Sequence, residues 1–418
     1  MKYVLIFGLF LLLPLEIFSQ KQTKDLNFYI NSSLENSPLL KDYNNQLLIN
    51  QMDSLLQKAT YRPQVNFSST NFWAPTFKGY GYDEVITDGG NYNALLTARQ
   101  SIIGRGNMKT LNNTYLLENQ SVRNAKKISE QDLKSAVTTQ YITAYGILKE
   151  IMFNEEIQNL LDKEEIFIEK LTENSVYKQT DYLNFQVERQ QQSLLIAQQK
   201  ADYQNNIALL NYLCGIVDTT YVQLEEPQIV LQPSLAFENT LQYYSFQIDS
   251  LKIINSDALI SYEYHPKLDI YADGGYFSSF TYQPYKNFGA SIGFSLTIPI
   301  YDSGQQQKRH NKMKLSEQTR KFYQNSSKLQ YQQQLRQLYQ QLQQTNDMIE
   351  RTQKVISSSQ TLMDAYGKQM QNGDATITDY ILAINNYLTA KHTMTQYFNN
   401  KLQIINQINY WNYEQKIP

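Results

Sequence analysis

The sequence predicts a duplicated α+β chain, with strands suited to a membrane and long polar helices. Three observations predict it. Residues 287–300 alternate: Phe288, Ala290, Ile292, Phe294, Leu296, Ile298 and Ile300 are apolar, and Asn287, Gly289, Ser291, Gly293, Ser295 and Thr297 are small or polar. A period of two makes a strand with one apolar and one polar face. Residues 305–370 then contain no Pro, and Gly367 is their only Gly. A structureless loop of that length does not belong in a compact domain, so the stretch reads as helix. Finally, this strand-then-helix plan occurs twice.

The duplication sets the element order. Gly106 and Gly304, Tyr141 and Tyr339, Asn174 and Asn372, Thr180 and Thr378, Asp181 and Asp379, and Tyr182 and Tyr380 are each 198 positions apart. One ungapped register therefore covers both halves, the mark of an internal repeat. "YRPQVNFSS" from Tyr61 resembles "YHPKLDIYA" from Tyr264 at an offset of 203, so the first copy carries five extra residues between Pro63 and Gly106. Insertions fall in loops, and 78–90 is the obvious one.

Each copy begins with a helix (about 25–58 and 236–258) and continues with two β-segments (about 63–76 and 90–103, then 266–281 and 286–301). A long helix follows (about 106–172 and 304–370), then a tight turn and a returning helix (about 179–214 and 377–413). At ~1.5 Å per residue, each long helix is a rod of roughly 100 Å. In the last helix Ile381, Ile384, Leu388, Phe398, Leu402 and Ile405 keep a coiled-coil-like spacing, broken at Lys391 and Thr395. The expected organisation is a leader at 1–19, a first repeat at 20–215, a linker at 216–235 and a second repeat at 236–418.

The leader rests on Lys2 followed by "YVLIFGLFLLLPLEIFSQ". A basic start, a short apolar run and a small residue near Ser19 read as a secretory signal peptide, with an N-terminal anchor as the other reading. An exported chain with one cysteine, Cys214, has no internal disulfide. Cys214 ends an apolar helix and reads as a small core residue. No later run is long enough for a membrane helix, so a membrane form of this chain spans as β-strands.

Features of the strands favour lipid over a soluble sheet. The polar face holds only small residues, and the apolar face has the height of an outer-membrane band. Phe288, Ile292, Phe294, Leu296 and Ile298 are the expected lipid-facing residues. Tyr276, Phe277, Phe280, Tyr282, Tyr285 and Tyr301 cluster at strand ends, within a chain of 33 Tyr and 18 Phe. In the partner segment Tyr92, Ala94, Leu96 and Ala98 oppose Asn93, Thr97, Arg99 and Ser101, with Leu95 out of pattern. Four strands cannot close a barrel, and lipid does not tolerate open edges, so the chain must oligomerise; three copies supply twelve strands. Pro299 ends strand pairing because it lacks an N–H. Gly304 permits the bend from sheet to helix, with Gly106 as its twin.

The leader, the duplicated plan, "PIYDSG" from Pro299 and "ATITDYILA" from Ala375 together resemble the TolC family of outer-membrane efflux proteins, over nearly the whole mature chain. The resemblance implies a homotrimer in the outer membrane of a Gram-negative-type bacterium. Its twelve-stranded β-barrel would continue as an α-helical barrel through the periplasm. The helix-hairpin tips would meet a periplasmic adaptor protein bound to an inner-membrane transporter. Asn174, Asp181, Asn372, Gly373 and Asp379 fall at the tips. Of an Asp pair that rings the constriction in the family, Asp379 matches the first member and Leu382 stands at the second. A latching Arg aligns near Ala375. Two readings of Asp379 remain, a like-charge ring that holds a cation and a helix cap.

Enzyme chemistry is absent from the pattern. His265, His310 and His392 have no carboxylate or Cys at metal-ligand spacing, so no metal and no cofactor are expected. "GRG" at 104–106 lacks the rest of a phosphate loop. The net charge of -2 argues against nucleic acid. Lys308, Arg309, Lys312 and Lys314 read as a solvated helix start or a lipid-headgroup contact. The expected function is a passive duct for solutes delivered by a pump. A pore-less periplasmic coiled-coil scaffold is the alternative. A duct for polypeptides rather than small molecules is equally compatible with a polar lumen.

Overall fold

The computed structural model describes residues 23–413 apart from 88, 219 and 280–282. The expected leader, Phe280 and Tyr282 lie outside the described residues. In chain order the elements are β1 (Thr23–Lys24), α1 (Leu26–Asn36), α2 (Pro38–Thr60), β2 (Gln64–Trp73), the short α3 (Glu84–Thr87), β3 (Gly90–Ile102) and α4 (Arg105–Glu173). They continue with α5 (Gln179–Leu213), β4 (Gln223–Leu224), α6 (Leu241–Glu263), β5 (Lys267–Ser278), β6 (Phe288–Thr297), α7 (Gln305–Gln371) and α8 (Ile377–Trp411). The helix expected over 25–58 is two helices. Pro38 opens α2 because it lacks the N–H that would continue α1.

The chain divides into two compact units. Among the described residues, one takes in 23–37, Leu133–Gln232 and Leu338–Tyr410, and the other Pro38–Asp132, Pro233–Gln337 and 411–413.

The core of the first unit follows helical period. Val137, Tyr141, Ala144, Leu148 and Ile151 step by four and three along α4 and are buried. They pack with Tyr29 of α1, Tyr203, Ile207 and Leu210 of α5, Cys214 and Leu224. β1 and β4 pair in parallel beside this cluster. The Tyr141 hydroxyl donates to the carbonyls of Lys24 (3.0 Å) and Glu225 (2.7 Å), so α4 holds both short strands. Burial pushes the Cys214 thiol up to about 12. Nearer the tips, Ile157, Leu161 and Ile168 of α4, Phe185 of α5, Ile356, Met363 and Met370 of α7, and Ile377, Tyr380 and Ile384 of α8 form one further cluster.

Amide side chains set register between these helices. The Asn154 amide donates to Gln199 Oε1 at 2.9 Å, and Gln192 Nε2 donates to Asn154 Oδ1 at 3.0 Å. Asn406 Nδ2 reaches Ser135 O and Thr139 Oγ1, both at 3.0 Å. A slip of one turn would leave these groups buried and unpaired, which costs more than the bonds contribute.

The second unit holds the four-stranded antiparallel sheet, in the order β2-β3-β5-β6. The sheet does not close on itself, and β2 and β6 are its unpaired edges among the described residues. Asn124 Nδ2 of α4 donates to Leu241 O (3.1 Å) and Ser245 Oγ (2.7 Å) of α6, and Asn113 pairs with Asn255 at 2.9 Å.

Candidate functional site

In the second unit the site is the sheet itself. Directly paired residues share a face. Val65, Ala98, Ala272 and Ile292 form one row across the four strands, and Phe67, Leu96, Gly274 and Ala290 form the next. These two rows are apolar from edge to edge, and on the same face Phe67 is 71% exposed, Ile292 81% and Phe294 73%. Phe288, Leu296 and Ile298 are exposed as well. A soluble monomer rarely leaves so large a patch uncovered.

The opposite face carries the row Asn66, Thr97, Asp273 and Ser291. Arg99 pairs with Asp269 at 2.9 Å, Ser101 also bonds that carboxylate, and Ser291 Oγ donates to Asp273 at 2.9 Å. Leu95 stands on this face, between Ser68 and Gly275.

The strand-to-helix junctions differ between copies. Pro299 lies just past the end of β6. Gly304 has φ +74°, in the region that favours glycine, and Ser303 before it has φ 58°. Asp302 organises this turn: its carboxylate accepts from the N–H of Gly304 (2.9 Å) and of Gln306 (2.6 Å). The Gln306 N–H is the main reason its carboxyl sits below the ordinary range. Gly106 lies inside α4. A Cβ there would lie 2.5 Å from the Tyr262 hydroxyl, the tip of a side chain that can swing aside, and Gly106 has no positive φ, so it does not form the bend that Gly304 forms.

In the first unit the site is the pair of hairpin tips. Both α4 and α7 end in the same turn. Val176 N bonds Leu171 O at 2.9 Å and Asp374 N bonds Gln369 O at 2.8 Å, a helix-terminating arrangement with a left-handed residue between. That residue is Ser175 (φ 65°) in one copy and Gly373 (φ 80°) in the other. Asn174 is exposed and turns its side-chain amide onto Lys170 O at 2.8 Å. Asn372 is exposed, and its N–H bonds Gln369 O at 3.2 Å.

Asp379 is not the cap of α8. Thr376 precedes the helix, its Oγ1 accepts from Asp379 N at 3.1 Å, and its hydroxyl donates to Asp379 Oδ2 at 2.6 Å. This is a side-chain cap by Thr376, with the carboxylate one turn inside bonded to the cap's own hydroxyl. In the first copy Lys178 occupies the cap position without a side-chain bond, and Asp181 lies in the first turn of α5. Leu382 is 60% exposed.

One contact between the tips was not visible in the sequence. The Tyr177 hydroxyl lies 2.7 Å from both Met370 O and Ala375 O, so the first tip grips the backbone of the second. Gln371 Nε2 adds a bond to each oxygen of Glu164 at 3.3 Å. Glu164 stands in the apolar stripe of α4, and burial raises its carboxyl pKa. The available signal was the repeat register: Tyr177 aligns with Ala375, the position near which the resemblance puts a latching Arg.

Two of the histidines without local metal-ligand spacing have carboxylate partners across helices. His310 Nδ1 is 2.6 Å from Asp257, and His392 Nδ1 is 2.9 Å from Glu150. Burial raises the Glu150 carboxyl pKa against the pull of His392. Among the described residues no group of three or more His, Cys, Asp or Glu could hold a metal.

No family model and no curated protein matches the sequence. Solved structures do. VceC, an outer membrane protein of Vibrio cholerae, superposes with a TM-score of 0.74 over 93% of this chain and 96% of its own, at 13% identity. CusC, described in terms of transmembrane channel formation, gives 0.74 over 93% and 92%, at 14% identity. The chain has the TolC-type outer-membrane channel fold. The CmeC outer membrane channel of Campylobacter jejuni agrees, with a TM-score of 0.72, 13% identity and coverage of 94% and 87%. Within the TolC-type fold, the two-faced sheet and the paired hairpin tips are the elements through which a channel role can be tested.

Proposed function

We propose that this chain is the outer-membrane duct of an efflux or secretion assembly, working as a homotrimer that conducts passively. The carrying observation is the sheet: one face apolar and exposed, the other polar, with both edges unpaired among the described residues. In lipid the edges must be paired, and three copies joined β2 to β6 make a closed barrel with its polar face inward. The helices beside those edges support the same closure. α2, which leads into β2, exposes Leu48, Met52, Leu55 and Leu56, and α7, which follows β6, exposes Leu315, Phe322 and Leu329 at steps of seven. Two such stripes on one chain suit head-to-tail packing of identical copies.

The tips would form the periplasmic end and meet an adaptor and an inner-membrane transporter. The duct supplies no energy and performs no catalysis. Opening would be a shift between packed arrangements of the helix hairpins. The test is single-channel conductance of the detergent-extracted protein in a planar bilayer, with its mass measured in parallel. Stable channels from a three-chain species are expected. A soluble monomer without conductance would overturn the duct and favour the periplasmic scaffold.

A further inference from the structure

The helix-side end of the sheet is marked by cations. Register puts the start of β2, the end of β3, the start of β5 and the end of β6 together: Gln64 pairs with Arg99, Ile102 with Leu268, and Lys267 with Thr297. Arg62, Arg105, Lys109, Lys267, Lys308 and Lys312 flank these strand ends, and all are exposed. Nearby carboxylates are committed elsewhere, Glu263 to Arg309, Asp269 to Arg99 and Asp302 to its own turn. At this end Arg105 and Lys109 line a concavity of about 540 Å³ with Ile103, Met108, Asn112 and Leu116. Asn112 Oδ1 is buried there without a hydrogen-bond partner among the described residues. Leu116 is 60% exposed.

We propose that this concavity holds the headgroup of an anionic glycerophospholipid, the rest of the collar facing the same layer of phosphates. The phosphate diester would sit between Arg105 and Lys109. Rotation of the half-buried Asn112 amide toward the concavity would let its Oδ1, which lacks a donor, accept from a headgroup hydroxyl. The acyl stem would run past Ile103 toward the apolar sheet face. The mixed lining selects this ligand: a free phosphate has no use for the apolar wall, and an acyl chain alone has none for the cations. The site rests on the membrane reading above, because it puts this end of the sheet at headgroup depth.

The test uses the full-length protein reconstituted in phosphatidylcholine vesicles with and without phosphatidylglycerol. After flotation and gentle re-extraction, retained lipid is quantified by mass spectrometry. Phosphatidylglycerol should be enriched over its bulk share, on the order of fivefold for each cation engaged. The double variant Arg105→Gln/Lys109→Gln should lose the enrichment, and Lys354→Gln, far along α7, should keep it. Phosphatidylmethanol, equally charged but without a headgroup hydroxyl, should be retained less well. Retention at the bulk ratio, enrichment unchanged in the double variant, equal retention of phosphatidylmethanol, or displacement by inorganic phosphate would each overturn the proposal. Failure to float with pure phosphatidylcholine vesicles would instead sink the membrane reading itself. Flotation of the double variant in those vesicles establishes that it is folded.

Discussion

Replacing Tyr177 with Phe removes one hydroxyl and little else. That hydroxyl lies 2.7 Å from Met370 O and 2.7 Å from Ala375 O. It has one proton, so the two contacts count as one shared bond. Met370 is fully buried and Tyr177 is half-buried, so water replaces the lost donor poorly. A hydrogen bond of this kind contributes about 1 kcal/mol net, which is roughly a fivefold change in an equilibrium. If three tips part together, the cost of opening falls by about 3 kcal/mol, roughly 150-fold in the open-to-closed ratio. Single-channel recording of parent and Tyr177→Phe trimers in planar bilayers measures the ratio directly. Long open dwells are expected in the variant at unchanged trimer mass. An open fraction within about twofold of the parent would refute the idea that this hydroxyl holds the tips.

Other consequences are open to direct measurement. Ile292→Asp places a carboxylate in the apolar row with Val65, Ala98 and Ala272, and should prevent assembly into the outer membrane; heat-stable trimers in the membrane fraction would contradict the lipid-facing reading. Asp379→Asn keeps an acceptor for the Thr376 hydroxyl but removes the charge, so weaker block by divalent cations would assign Asp379 to a charged ring, and unchanged block would leave its bond to the Thr376 cap as its only role. The Cys214 thiol, pushed up to about 12 by burial, should resist alkylation at pH 8 in the folded protein and react fast in denaturant; equal rates would disprove the buried site. The Asp302 carboxyl is held below its ordinary range, so its contribution to the junction is present above that range and fades as pH falls through the lowered value. Protection of the Gly304 and Gln306 amides, taken relative to the intrinsic exchange rate at each pH, should therefore fall on acidification in the parent and not in Asp302→Asn.

Much of the fold was written in period and repeat. Alternation over Phe288–Thr297 became β6, and the Pro-free run from Gln305 became a single helix to Gln371. Both are local properties: a period of two or of 3.6 decides which side chains share a face before any partner is present. The offset of 198 put Asp181 and Asp379 in the first turns of corresponding helices. Tertiary structure decided what those positions do. The repeat made Gly106 and Gly304 look equivalent, yet one lies inside a helix and only the other has the positive φ that favours glycine. Asp379 looked like a cap until Thr376 took that place. Tyr177 on Met370 and Ala375, and His392 on Glu150, join residues about 190 or more positions apart in sequence. Local pattern fixes the elements because backbone and burial act over a few residues. Contacts between elements depend on how rigid helices come to lie side by side, and no short stretch of sequence carries that distance.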